Sequence, residues 1–278
     1  MLDSARSLRR RLAAPALPAA LALVAGLCAQ ADANPAKDRL YARAGFLYLQ
    51  PVPASEEVVL SDLMGPAELA LPDGPVAGSG VSADAVAMLA GTIGYRVHDR
   101  ISIEAVIASP FTMTLTLTGT LANDSVAPYA LGNIPTGVPA FGEKLGTTKV
   151  LPPIVTAVYR YPLHPRVRPY GGLGVSYVYA YDTQITNPVL TEVGKPTVEI
   201  DSDLAWVLQA GVDVHVWKRV YVTLDAKFAA GLDLVARMKG LELAVPALPI
   251  YGTVSAGTGT AEVTVNPLVL QAGVGWDF

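Results

Sequence analysis

From Leu40 onward, apolar and polar side chains alternate with a period of two, the repeat of a strand whose faces meet different surroundings. Within 40–50 the even positions Leu40, Ala42, Ala44, Phe46 and Tyr48 share one face, and Arg43 lies on the other. In 83–97 the odd set Ala85, Ala87, Leu89, Ile93, Tyr95 and Val97 opposes Asp84, Thr92 and Arg96. In 101–111, Ile101, Ile103, Ala105 and Ile107 oppose Ser102 and Glu104. The alternation returns at about 150–161, 167–181, 202–216, 220–232 and 263–278, which predicts eight strands.

The connections between these strands alternate in length. Three are tight, at His98-Asp99-Arg100, at 162–166 and at Trp217-Lys218-Arg219; four are long, at 51–82, 112–149, 182–201 and 233–262. Short turns alternating with long loops predict an all-β fold: an eight-stranded antiparallel transmembrane β-barrel, with its turns in the periplasm and its loops outside the cell. A soluble barrel or sandwich would hide its apolar faces inside. The aromatics favour the membrane form. Tyr95, Tyr159, Tyr161 and Trp276 fall beside turns or the chain end, and Tyr177, Tyr179 and Tyr181 fall near a loop, as two interfacial girdles should.

Composition narrows the function. Hydrophobic residues make up 51% of the chain and charged residues only 16%, against roughly 25% charged in an ordinary soluble domain. The formal charge of -4 leaves no basic excess for a phosphate backbone, which excludes nucleic acid as a partner. Arg6, Arg9, Arg10 and Arg11 precede an apolar stretch at 12–29 that ends in small residues, the order of a secretory signal. Cleavage after Ala31 or Ala33 leaves a single barrel domain, 34–278. It also removes Cys28, so the exported chain is expected to lack both disulfides and thiol chemistry. His98, His164 and His215 have no metal-ligand spacing and all fall beside turns. Ser255 has Gly257 after it but Thr253 where a serine-hydrolase elbow needs its other glycine. No enzyme activity, metal or cofactor is expected.

The last strand runs Leu270, Ala272, Val274, Trp276 and Phe278 on alternate positions to the chain end. It looks like the terminal signal read by outer-membrane assembly machinery, with Trp276 and Phe278 as its recognition residues. Several blocks occur in order along the chain: Arg43-Ala44-Gly45, Ala108-Ser109-Pro110-Phe111, Leu151-Pro152-Pro153, Arg168-Pro169-Tyr170-Gly171-Gly172-Leu173-Gly174, Gln209-Ala210-Gly211-Val212-Asp213, and a strand carrying Asp225. In these blocks the sequence resembles the OmpW family of small outer-membrane proteins, a group that includes alkane-uptake porins. Its loops depart from that resemblance, with Val-, Thr- and Gly-rich text at 114–120 and 254–264.

If one strand face meets lipid, the other lines the lumen and can be sorted by height. Near the turns it carries Arg43, Arg96, Ser102, Glu104, Arg160, Arg168, Tyr170, Asp213, Asp225 and Lys227, a floor of mixed charge that can pair and act as a plug. Toward the loops the inward positions become Leu47, Leu49, Val86, Met88, Val106, Ile154, Val178 and Val207, an apolar vestibule suited to small hydrophobic solutes. Pro152 and Pro153 remove ladder donors and mark a place for sideways release into the outer-membrane lipid; lateral release is also what the resemblance implies. The expected function is passive uptake of small hydrophobic molecules. The alternative is a structural or receptor-like barrel whose loops bind partners without transport.

If Phe278 is the recognition residue, its deletion lowers the amount of protein inserted in the outer membrane while export across the inner membrane continues. Fractionation and immunoblotting check this, and normal insertion of the deletion would mean that Phe278 is only a strand end.

Overall fold

The structure is a computed structural model that describes residues 39–71 and 73–278. The signal sequence with its two cleavage alternatives, and Cys28, lie outside the described residues. Eight strands form the membrane body: β1 (Leu40–Gln50), β2 (Val86–His98), β3 (Ile101–Ala108), β4 (Ile154–Arg160), β5 (Val167–Ile185), β6 (Asp203–His215), β7 (Val220–Ala230) and β8 (Leu268–Asp277). Each pairs antiparallel with its neighbour in sequence, and β1 pairs with β8 from Tyr41↔Asp277 to Gln50↔Leu268, which closes the barrel. Closure removes both sheet edges, the condition for backbone to cross a bilayer core that offers no water. The outward faces are apolar: Phe46 is 73% and Trp206 71% exposed, with Leu89, Leu173 and Leu208 also turned out. Such exposure is unfavourable in water and is expected against lipid acyl chains.

Four of the expected strands are interrupted. The run expected at 101–111 ends at Ala108; Ser109-Pro110 breaks it, and a separate strand begins at Phe111. Pro152-Pro153 divide 150–161, Gly231 ends β7, and Asn266-Pro267 precede β8. Proline lacks an N–H, and Gly231 takes a positive φ of 77°, so at these positions the chain changes direction without finishing its ladder.

Beyond the breaks, the connections expected as loops are built structure. Leu232–Lys239 pairs with Thr258–Val265, flanked by Thr197–Ile200 on one side and by Pro53–Ser55 and Val59–Ser61 on the other. The upper part of β5 pairs with Lys144–Leu151, which pairs with Phe111–Gly119, which pairs with Ser79–Ala83. The two halves meet where the Val81 N–H donates to Ser55 Oγ at 3.0 Å. Together they form an extracellular cap over the barrel mouth. Its interior is a hydrophobic core containing Leu60, Leu117, Leu145, Leu190 and Leu243. Periodicity alone misses this because the cap strands are short and their inner face meets a cavity instead of lipid.

Three tyrosines lie flat on glycines of the adjacent strand inside the barrel: Tyr41 opposite Gly94, Tyr170 opposite Gly211 and Tyr221 opposite Gly275. A methyl group added at Gly94 would stand 1.9 Å from Tyr41, at Gly211 2.4 Å from Tyr170, and at Gly275 2.2 Å from Tyr221. The glycines therefore provide the width that lets buried rings fit an eight-stranded lumen. Gly171 faces outward with its nearest neighbour at 3.7 Å. Gly94→Ala or Gly275→Ala should destabilise the barrel by about 1–3 kcal/mol through overpacking, read as a lower temperature for the heat-induced gel shift, while Gly171→Ala leaves that temperature unchanged.

Candidate functional site

The lumen is stratified. Its lowest layer is set by strand parity: Tyr41 and Arg43 from β1, Ser102 and Glu104 from β3, Arg160 from β4, Tyr170 from β5, Gln209 and Asp213 from β6, and Asp225 and Lys227 from β7 all point inward and are buried. Glu104 is the hub. It accepts from the Tyr41 hydroxyl at 2.6 Å, from Arg160 Nη2 at 2.6 Å, from Arg43 Nη1 at 3.2 Å and from Gln209 Nε2 at 3.0 Å. Asp213 Oδ2 takes Arg43 Nη2 at 3.1 Å and Arg160 Nε at 3.5 Å. Asp225 accepts from the Tyr170 hydroxyl at 2.8 Å and Gln209 Nε2 at 2.6 Å, and pairs with Lys227. The arginines also lie over rings: Arg43 is 4.8 Å from the Tyr170 centroid and Arg160 4.5 Å from that of Tyr41.

Arg43, Arg160 and Lys227 balance Glu104, Asp213 and Asp225, so this layer is neutral as a whole. Neutrality matters because a buried charge without a partner costs several kcal/mol, whereas a paired and hydrogen-bonded set is tolerated. The network ties β1, β3, β4, β5, β6 and β7 together across the lumen at this height. Of the other residues expected in the floor, Arg96 lies nearer the rim, paired with Asp277 at 2.5 Å, and Arg168 is half-buried at the start of β5. Tyr41 and Tyr221 belong to the floor but carry no sequence signal beyond an inward parity, and the hub contact Gln209 is marked only as the first residue of the Gln209–Asp213 block.

The layer above is apolar. Leu47, Leu49, Val106, Ile154, Val178 and Val207 are buried in one cluster with Phe111, Val150 and Val269, and Val86 and Met88 pack against it half-buried. Inward parity and height place the expected open space at this level, whereas the cavity lies one layer higher. Side chains fill the narrow barrel, and none of these eight residues lines the main cavity. That cavity, about 150 Å3, lies inside the cap, bordered by Leu60, Leu117, Phe141, Ile200, Met238 and Val265 among others. Ser82 is the only lining residue with a polar side chain. Leu234 and Val265 touch both the cavity and the apolar cluster below it, so the two are continuous.

The wall beside this cluster is incomplete. The β3–β4 ladder ends at Val106↔Ile154, and pairing between the two chain segments resumes only at Phe111↔Val150. Between these points Ile107–Pro110 faces Leu151–Pro153 with no ladder pair across. Each segment is held from its far side instead: Ala108 pairs with Ala90, Leu151 with Tyr179, and the Tyr177 N–H donates to the Pro153 carbonyl at 3.2 Å. Pro169, by contrast, sits within the β5–β6 ladder opposite Val212 and opens nothing. At the outer boundary the exposed Lys149 and Asp182 pair at 2.7 Å.

A closed apolar-faced barrel with a hydrogen-bonded, charge-balanced lumen layer and an extracellular cap defines an outer-membrane β-barrel protein. The OmpW family profile matches residues 65–278, and the chain belongs to the OmpW family. It is 25% identical over 187 residues to the dibenzothiophene metabolism operon protein PahQ of Pseudomonas aeruginosa, covering 66% of this chain and 68% of that one. DoxH, the corresponding operon protein of Pseudomonas sp. (strain C18), matches equally. Among solved structures, OprG of Pseudomonas aeruginosa superposes with a TM-score of 0.65 at 20% identity, over 87% of this chain and 97% of that chain. AlkL in lipid bilayers gives 0.52 at 17% identity, over 89% and 94%. The structural likenesses establish the fold, and membership of the OmpW family the outer-membrane location.

Glu104→Gln leaves Arg43 and Arg160 sharing only Asp213 and should destabilise the barrel by about 3–5 kcal/mol. Glu104→Gln combined with Arg160→Met should recover part of that loss. Urea unfolding in detergent checks both, and equal stability of Glu104→Gln and the native chain would show that the hub is not structural.

Proposed function

We propose that this protein is a passive, non-enzymatic conduit for small hydrophobic molecules, which enter the cap cavity, cross the apolar cluster and leave sideways into the membrane between β3 and β4. The observation that carries the reading is the stacking order: an apolar cavity, an apolar layer beside an unpaired stretch of wall, and a hydrogen-bonded, charge-balanced floor. An apolar solute gains free energy by leaving water for the cavity, roughly 25 cal/mol per Å2 of apolar surface removed. It would lose that gain on entering the charged floor. Sideways release into lipid keeps it in apolar surroundings throughout. The operon context in the names of PahQ and DoxH supports a hydrophobic aromatic cargo.

Size adds a limit. An apolar cavity of about 150 Å3 stays dry and admits a single benzene ring. Larger solutes then require the cap strands to part. The three histidines give no support to catalysis, since His98 and His164 sit on exposed turns and His215 at the periplasmic rim, bonded to Asp277 at 3.3 Å.

The test is uptake of a one-ring apolar tracer by whole cells, normalised to inserted protein. Leu117→Asp in the cavity and Leu47→Asp in the layer beneath should each cut uptake at least several-fold, because an unpaired carboxylate in such a site costs several kcal/mol or draws in water. Asp225→Asn in the floor should change uptake little. If the aspartates are harmless and the floor variant controls flux, transport is axial. If cells with and without the protein take up tracer equally, the barrel is a binding surface and not a conduit.

A further inference from the structure

The periplasmic end carries a feature that transport does not use. Each of its three tight turns places one arginine at the same structural station. The Arg160 N–H donates to the Arg100 carbonyl at 2.8 Å, the His215 N–H to the Arg166 carbonyl at 2.7 Å, and the Asp277 N–H to the Arg219 carbonyl at 2.9 Å. Their backbones are thus pinned to the adjoining strand, while all three side chains and that of Lys218 are exposed. Arg166, Lys218 and Arg219 have no acidic partner among the described residues. Arg100 bonds only the Tyr159 hydroxyl, at 3.4 Å, with Asp99 beside it. The other acidic side chain at this end, Asp277, is engaged by Arg96 and His215.

In and beside the same turns lie exposed apolar and aromatic side chains: Trp217 at 75%, Leu163, Tyr161 and Tyr159. Rings of this kind sit at headgroup depth, so Arg166 and Arg219, two to five residues away in sequence, and Arg100, bonded to the Tyr159 hydroxyl, stand level with lipid phosphates. The opposite end has the reverse charge: the first extracellular connection carries Glu56, Glu57, Asp62, Glu68, Asp73 and Asp84 with no lysine or arginine. A ring of cations, three of them pinned and with Asp99 as the one acidic side chain beside them, next to an aromatic belt fits one ligand chemistry, the phosphodiester of a membrane lipid.

We propose that the three periplasmic turns form a binding rim for the headgroups of anionic phospholipids in the inner leaflet, selecting phosphatidylglycerol-type lipid over zwitterionic lipid. Three pinned stations spread around the barrel bind several lipids at once and hold the barrel at a fixed depth. Each cation near a charged surface contributes a factor of roughly five in partition. The selectivity falls with salt, since exposed charges are screened over about 10 Å at 0.1 M.

The chain has Trp206, Trp217 and Trp276, and Trp206→Phe leaves only the two at the periplasmic end as fluorescent reporters. That protein is refolded into phosphatidylcholine vesicles containing a small, equal mole fraction of either brominated phosphatidylglycerol or brominated phosphatidylcholine, and tryptophan quenching is compared. The expected result is severalfold stronger quenching by the anionic lipid. The excess should disappear at 0.5 M salt and in the quadruple variant Arg100→Gln, Arg166→Gln, Lys218→Gln, Arg219→Gln, which must still show the heat-induced gel shift. If that variant fails to insert, Arg166→Gln and Arg219→Gln singly should each reduce the excess. Equal quenching by the two lipids overturns the proposal, as does an excess that the variants leave unchanged. Loss of the excess on adding inorganic phosphate at constant ionic strength would also overturn it, by showing a site for the free ion instead of the lipid.

Discussion

The pairing of β1 with β8 over Tyr41 to Gln50 closes the sheet on itself, and the rest of the molecule follows from that closure. A strand in hydrocarbon has no water to satisfy its backbone, so every N–H and C=O must find a neighbouring strand. With only eight strands the enclosed space is about as wide as the side chains that fill it. Whatever lies inside must therefore pack and be neutral. Glycines under Tyr41, Tyr170 and Tyr221 create room for rings, and three cations matched to three anions make a floor that can be buried.

That floor spans the lumen as one hydrogen-bonded layer. Above it, Leu47, Val106 and Val207 continue the filling in apolar form, and the first open volume appears only where the strands leave the membrane and splay into the cap. The β3–β4 ladder lapses at the level of the apolar layer, where Ser109-Pro110 opposes Pro152-Pro153, and the neighbouring β2–β3 ladder ends there too, at Ala90↔Ala108. Prolines can stand there because no ladder donor is needed at those positions. Weakness in the wall and apolar contents at the same height are the physical basis of the proposed sideways path.

Charge is distributed with equal economy. The outer connections are mostly acidic and the turns basic, while the paired charges between them cancel. Acidic residues on exposed cap strands also discourage edge-to-edge association of a surface rich in short strands. Pinned arginines at the other end face a leaflet of phosphates.

Strand number, the inward and outward faces and the turns were legible in the sequence, because lipid on one side and a filled lumen on the other impose a strict period of two. Arg43, Glu104, Asp213, Asp225 and Lys227 could be placed from parity alone. Their partners could not: that Glu104 meets Arg43, Arg160, Tyr41 and Gln209 depends on the stagger between strands that lie far apart in sequence. The cap was read as loops, since its strands are short, interrupted by Gly and Pro, and covered on their inner face by one another, so no periodic contrast with lipid marks them. The cavity, too, existed only in three dimensions. Its lining comes from all four outer connections, and only the folded cap brings Leu60, Leu117, Ile200 and Met238 around one space.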